Sequence, residues 1–85
     1  EDKDFVKANE YAERVLEEDP EDALAYLVKL MVSYKVSKRH ELGNLNVSFE
    51  NNLNYEKIMR YGDEELKREV NGNLGKIKNR LHYCK

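Results

Sequence analysis

Apolar residues follow a helical rhythm over most of the chain, and the densest run is Ala23–Val36, interrupted only by Lys29, Ser33 and Lys35. A helix apolar almost all round must be covered from several sides, so this segment reads as the central helix of a bundle. Its fourteen residues would span about 21 Å, too little to cross a bilayer. Upstream, Phe5, Ala8, Ala12, Val15 and Leu16 recur at helical spacing with acids on the opposite side. Downstream, Leu66, Val70, Leu74, Ile77, Leu81 and Cys84 step by three and four residues, the stripe of one long C-terminal helix. Asn71, Gly72 and Gly75 weaken that helix, and both glycines fall away from the stripe, on its outer face.

The punctuation sets the boundaries. Pro20 disfavours α geometry at Asp19, which ends the first helix; Asp19 is then expected to cap the second, with Pro20 in its first turn. The two helices must fold back on each other as an antiparallel pair. Ser37 is expected to cap a short turn closed by Gly43-Asn44. The stretch after it, with Leu45, Val47, Phe49 and Leu53 among asparagines, reads as an ordered loop whose apolar residues plug the bundle, since a lone strand would have no partner. Asn54 is expected to cap a short third helix, and Gly62 followed by Asp63-Glu64-Glu65 marks a stop and a fresh start. The expected fold is therefore all-α, one domain over 1–85 with helices at about 3–18, 20–37, 54–61 and 63–84 and an irregular stretch at 38–53.

Composition narrows the class. Of 85 residues, 40% are hydrophobic and 38% charged, with one Pro and four Gly, which suits a water-exposed helical fold and argues against a loop-rich or all-β one. A single Cys excludes an internal disulfide framework and fits a reducing, cytoplasmic setting. No signal peptide or membrane span is present, and a chain starting within an acidic run suggests a piece of a longer protein. Charge is uneven: residues 1–24 carry ten acids and three bases, whereas residues 66–85 carry six bases and one acid. That polarity either balances within the fold or steers a charged partner.

Ala8-x-x-x-Ala12-x-x-Val15-Leu16-x-x-x-Pro20 resembles the second half of a tetratricopeptide repeat, with Val15 in place of the usual Ala. Pro20-Glu-Asp-Ala-Leu-Ala-Tyr26 is similar to the opening of the next repeat, although the Gly expected one turn later is missing. The chain also resembles a helical region of bacterial proteins that often carry an N-terminal zinc ribbon. The matching parts are Glu18-Asp-Pro-Glu-Asp-Ala-Leu-Ala-Tyr-Leu-Val-Lys-Leu-Met31, Phe49-Glu-Asn-Asn-Leu-Asn-Tyr-Glu-Lys57 and Arg60-Tyr-Gly-Asp-Glu-Glu-Leu-Lys67. One Cys cannot supply such a ribbon here. The resemblance implies a non-catalytic protein–protein interaction or scaffolding module whose concave face accepts a peptide or helix. It also implies that the first helix of the first repeat would precede Glu1. Its absence would uncover part of the first helix and favour self-association.

Candidate chemistry is sparse. His82 and Cys84 point about 200° apart on a helix and cannot share a metal there. His40-Glu41 lies in the irregular stretch, and Gly72-x-x-Gly75 falls inside a helix without the Lys-Ser/Thr ending of a phosphate loop. No nucleophile, base and orienting group are spaced for catalysis, so no catalytic, cofactor or metal site is expected. Asn46-Val-Ser48 matches a glycosylation sequon, a tripeptide common by chance. For a protein partner the expected contacts are Tyr11, Lys29 and Ser33; the other tyrosines near packing faces are expected to be structural. The alternatives are a nucleic-acid-binding domain using Lys67, Lys76, Lys78 and Arg80, or a structural spacer.

Overall fold

A computed structural model describes the backbone of residues 2–83 and the side chains of residues 5–81. Four α-helices, α1 (Asp2–Glu18), α2 (Ala23–Ser33), α3 (Leu53–Tyr61) and α4 (Glu64–Tyr83), are joined by turns and by a 3₁₀ helix at Arg39–Asn44, with no strand among the described residues. The fold is all-α.

Helix α2 is central. Its Leu27 and Leu30 face the main core, while Ala25, Val28 and Val32, half a turn away, face α1. α1 packs on α2, α3 packs on another side of α2, and α4 packs chiefly on the 3₁₀ segment. The core is closed by Leu42, Phe49, Ile58, Val70 and Ile77, each almost wholly removed from water. Leu66, Val70, Leu74 and Ile77 supply the α4 stripe, while Leu81 remains 40% exposed and Cys84 lies outside the described residues.

The ends of α2 differ from expectation. Asp22, not Asp19, is its N-cap: the Asp22 carboxylate accepts the Leu24 and Ala25 amides at 3.0 and 3.3 Å. Pro20 sits in a four-residue turn in which Asp19 accepts the Asp22 amide at 3.2 Å. Pro favours such a turn as readily as a helix start, and the later carboxylate is the one in register with two unpaired amides. At the other end α2 stops after Ser33, because Lys35 adopts φ 57. The Val36 amide then donates to Met31 O at 3.0 Å and the Lys35 amide to Val32 O at 3.1 Å, closing the helix with paired reversed hydrogen bonds. A lysine occupies the left-handed position that glycine usually takes.

Asn52, rather than Asn54, caps α3 by accepting the Asn54 amide at 2.8 Å, and Asp63 caps α4 by accepting the Leu66 amide at 2.8 Å. Glu41, rather than Ser37, holds the start of the 3₁₀ helix by accepting the Ser37 and Lys38 amides. Gly62 separates α3 from α4 as expected from sequence, but in an extended conformation; a Cβ there would lie 2.7 Å from Ile58 O. In the irregular stretch Leu42 and Phe49 plug the core, with Phe49 between Tyr34 and Tyr55 at ring separations of 6.3 and 5.6 Å. Val47 and Leu53 do not join them and are exposed, Val47 in a bend and Leu53 at the first position of α3.

Candidate docking groove

Because α1 covers one side of α2 and the core the other, the two faces between them are left open. They differ in chemistry. On one flank Lys29 Nζ donates to Asn9 Oδ1 and Glu13 Oε2, both at 3.2 Å, and Ser33 Oγ donates to Lys29 O at 2.9 Å. This flank is mixed, a cavity of about 490 Å³ that sets Phe5, Val6 and Val32 beside Asn9, Glu10 and Glu13, and its Lys29 is committed to holding α1 on α2. The other flank is apolar. Ala8, Tyr11 and Val15 share one side of α1 by helical spacing, and Leu24 and Val28, one turn apart, share the adjoining side of α2, with Ala8 and Val28 lining the cavity between them. Tyr11 is 64% and Leu24 55% exposed, unusual openness for large side chains beside a core helix.

Two concavities open on that flank. Near the C-terminal end of α2 a cavity of about 270 Å³ is lined by Phe5, Ala8, Val28, Met31 and Val36, with Ser37 at its margin. Near the N-terminal end of α2 a cavity of about 570 Å³ includes Leu24, Arg39, Tyr61, Glu65 and Glu69, together with the capping carboxylates Asp22 and Asp63. Arg39 and Glu69 form its far wall as a bidentate pair, at 2.9 Å from Nε and 2.5 Å from Nη2. Two planar groups held by parallel hydrogen bonds keep that wall in place better than a single contact would.

The residues singled out from sequence are therefore split. Tyr11 borders the apolar flank, while Lys29 and Ser33 lie on the mixed one; Tyr11 points about 160° around α1 from the Glu13 that Lys29 engages. The expected single face built from all three is not formed, because Lys29 is drawn to its α1 acceptors. Leu24 and Val28, on the α2 side of the apolar flank, carry no sequence signal beyond belonging to an apolar run. The one clue is that two packing neighbours cannot cover a helix that is apolar all round.

The basic helix is largely engaged within the chain. Arg80 donates to the carbonyl oxygens of Gly43, at 3.0 Å, and Leu45. Lys78 pairs with Glu50 at 3.3 Å and Lys67 with Glu64 at 3.4 Å, while the Lys76 stem lies over Gly43. The two lysine pairs are exposed and weak, but Arg80 is a fixed structural tie. Tyr26, Tyr34, Tyr55 and Tyr61 are half-buried; Tyr26 stacks on Tyr61 at 6.2 Å and donates to Pro20 O at 3.0 Å. His40 is exposed, His82-x-Cys84 lies outside the described side chains, and no group of three metal-ligating side chains occurs among the described residues. Among those residues no helix is long and apolar enough to cross a membrane.

No family model, curated protein or solved structure matches the chain. The groove itself therefore carries the functional reading.

Proposed function

We propose that this chain is a non-catalytic protein–protein interaction module that receives a peptide or helix along the groove floored by Leu24 and Val28. The observation that carries the reading is an apolar cavity between α1 and α2, lined by Ala8 and Val28, with Tyr11 and Leu24, each one turn further along its helix, largely exposed. Apolar side chains lining a concavity gain by being covered, at about 25 cal/mol per Å². A partner helix laid antiparallel to α2 would fill the cavity with one or two side chains, as helix-in-groove recognition does. The tetratricopeptide-like hairpin belongs to the same proposal, as does a bacterial, cytoplasmic setting. In it α1 would close one repeat and α2 would open the next.

Selection from a displayed library of random peptides tests this. Enriched peptides should bind the wild-type chain and lose binding to a Tyr11→Ser/Leu24→Gln double variant, while Leu53→Gln, at an exposed apolar site elsewhere, leaves binding unchanged. Failure to enrich any peptide would leave the chain a spacer and overturn the proposal. Binders indifferent to the double variant would move the site.

A further inference from the structure

The groove is apolar at one end and acidic at the other, and we infer that its partner is an amphipathic helix carrying apolar anchors followed by lysine or arginine. This deepens the reading above and rests on it.

The acidic end sets four carboxylates, Asp22, Asp63, Glu65 and Glu69, against the single guanidinium of Arg39. Asp22 and Asp63 cap α2 and α4, so the dipole of each helix offsets part of their charge. Setting about +0.5 for each helix end against that total still leaves roughly two negative charges. Glu69 is balanced by Arg39, which leaves Glu65, exposed on the first turn of α4, as the carboxylate with most to gain from an incoming cation. Exposed Glu18, Asp19 and Glu21 beside the same end of α2 extend the negative field. The apolar cavity gives the opposite preference: Phe5, Ala8, Val28, Met31 and Val36 offer no charge to pair with.

Spacing follows from α2 itself. The acidic cavity meets α2 at Ala23 and Leu24, and the apolar one reaches Val32. The apolar one begins at Val28, so the centres of the two lie about seven residues of helix, roughly 10 Å, apart. A partner helix alongside must then place its cations about two turns, seven or eight residues, from its apolar anchor. Complementary charge of this kind fixes direction and register, while the apolar contact supplies the affinity.

The test uses three synthetic 16-residue helical peptides sharing one apolar stripe. Their last turn carries Lys, Gln or Glu, and binding to the full chain is read by fluorescence anisotropy. At roughly 50 mM salt the Lys peptide should bind about tenfold more tightly than the Glu peptide, and the gap should shrink as salt rises. Glu65→Lys should narrow or reverse that order, and the Tyr11→Ser/Leu24→Gln variant should weaken all three peptides together. Circular dichroism of both variants verifies that they are folded. Equal binding of the three peptides would overturn the inference and leave the groove standing. Lys-peptide binding that ignores the Tyr11/Leu24 variant would overturn it as attraction to an acidic surface at large. No binding by any peptide would remove the groove reading as well.

Discussion

Arg80 of α4 reaches back to the carbonyl oxygen of Gly43, 37 residues earlier, at 3.0 Å. Together with the bond to Leu45 O this fastens the end of the 3₁₀ segment to the C-terminal helix. The 3₁₀ segment carries Leu42 into the core and its first residue, Arg39, forms a wall of the groove. Half-buried Arg80 thus serves the fold.

Replacing Arg80 with Met keeps much of the stem and removes the donor of both bonds. The two carbonyls lose their partner, and stability in urea should fall by about 1–3 kcal/mol. Both bonds leave the single nitrogen Nη2, so Arg80→Lys should recover part of the loss, limited by an ammonium that reaches one bond less far than the guanidinium. An unchanged unfolding midpoint for Arg80→Met would show that the tie contributes nothing.

The four glycines divide into two kinds, Gly43 and Gly62 against other atoms and Gly72 and Gly75 in the open. A Cβ on Gly43 would lie 2.8 Å from Asn73 Oδ1 and 3.1 Å from the Lys76 stem, and Asn73 is buried with its amide donating to Arg39 O at 3.4 Å. Asn73 cannot move aside without giving up that bond, so Gly43→Ala should cost about 1–3 kcal/mol. Gly72 and Gly75 face open space in the middle of α4. There Ala should stabilise by about 0.5–1 kcal/mol at each position, seen as a higher Tm.

Lys35 holds the left-handed turn that ends α2, with φ 57. Lys35→Gly should relieve about 1 kcal/mol of backbone strain, offset in part by the greater freedom of glycine in the unfolded chain. For a domain of this size the net gain should raise Tm by a few degrees, roughly 2–6 °C. Lys35→Val, β-branched at the same position, should lower it.

Periodicity made the helices legible. Leu66, Val70, Leu74 and Ile77 are spaced for one buried stripe, and they are buried. Cap positions were less legible, because Asp19 and Asp22, or Asn52 and Asn54, are equally good acceptors until the backbone register decides between them. The end of α2 left no trace in sequence, since the residue taking the left-handed conformation is lysine and not glycine. Asn73 and Arg80 could not be read either: their partners lie 34 and 37 residues away. The groove was hidden for a related reason. Leu24 and Val28 look like core until the fold shows that α1 and α3 leave one side of α2 uncovered, whereas Tyr11, on the outward side of α1, was already marked for exposure.

The most direct measurement of where the partner sits is a titration of the isotopically labelled chain with the Lys-ended peptide, followed by amide chemical shifts. The groove predicts that the largest changes gather at Tyr11, Leu24, Val28 and Glu65, which three different helices contribute. Changes centred instead on Lys76 and Lys78, or on Val6 and Glu10 along the opposite flank of α1, would contradict it.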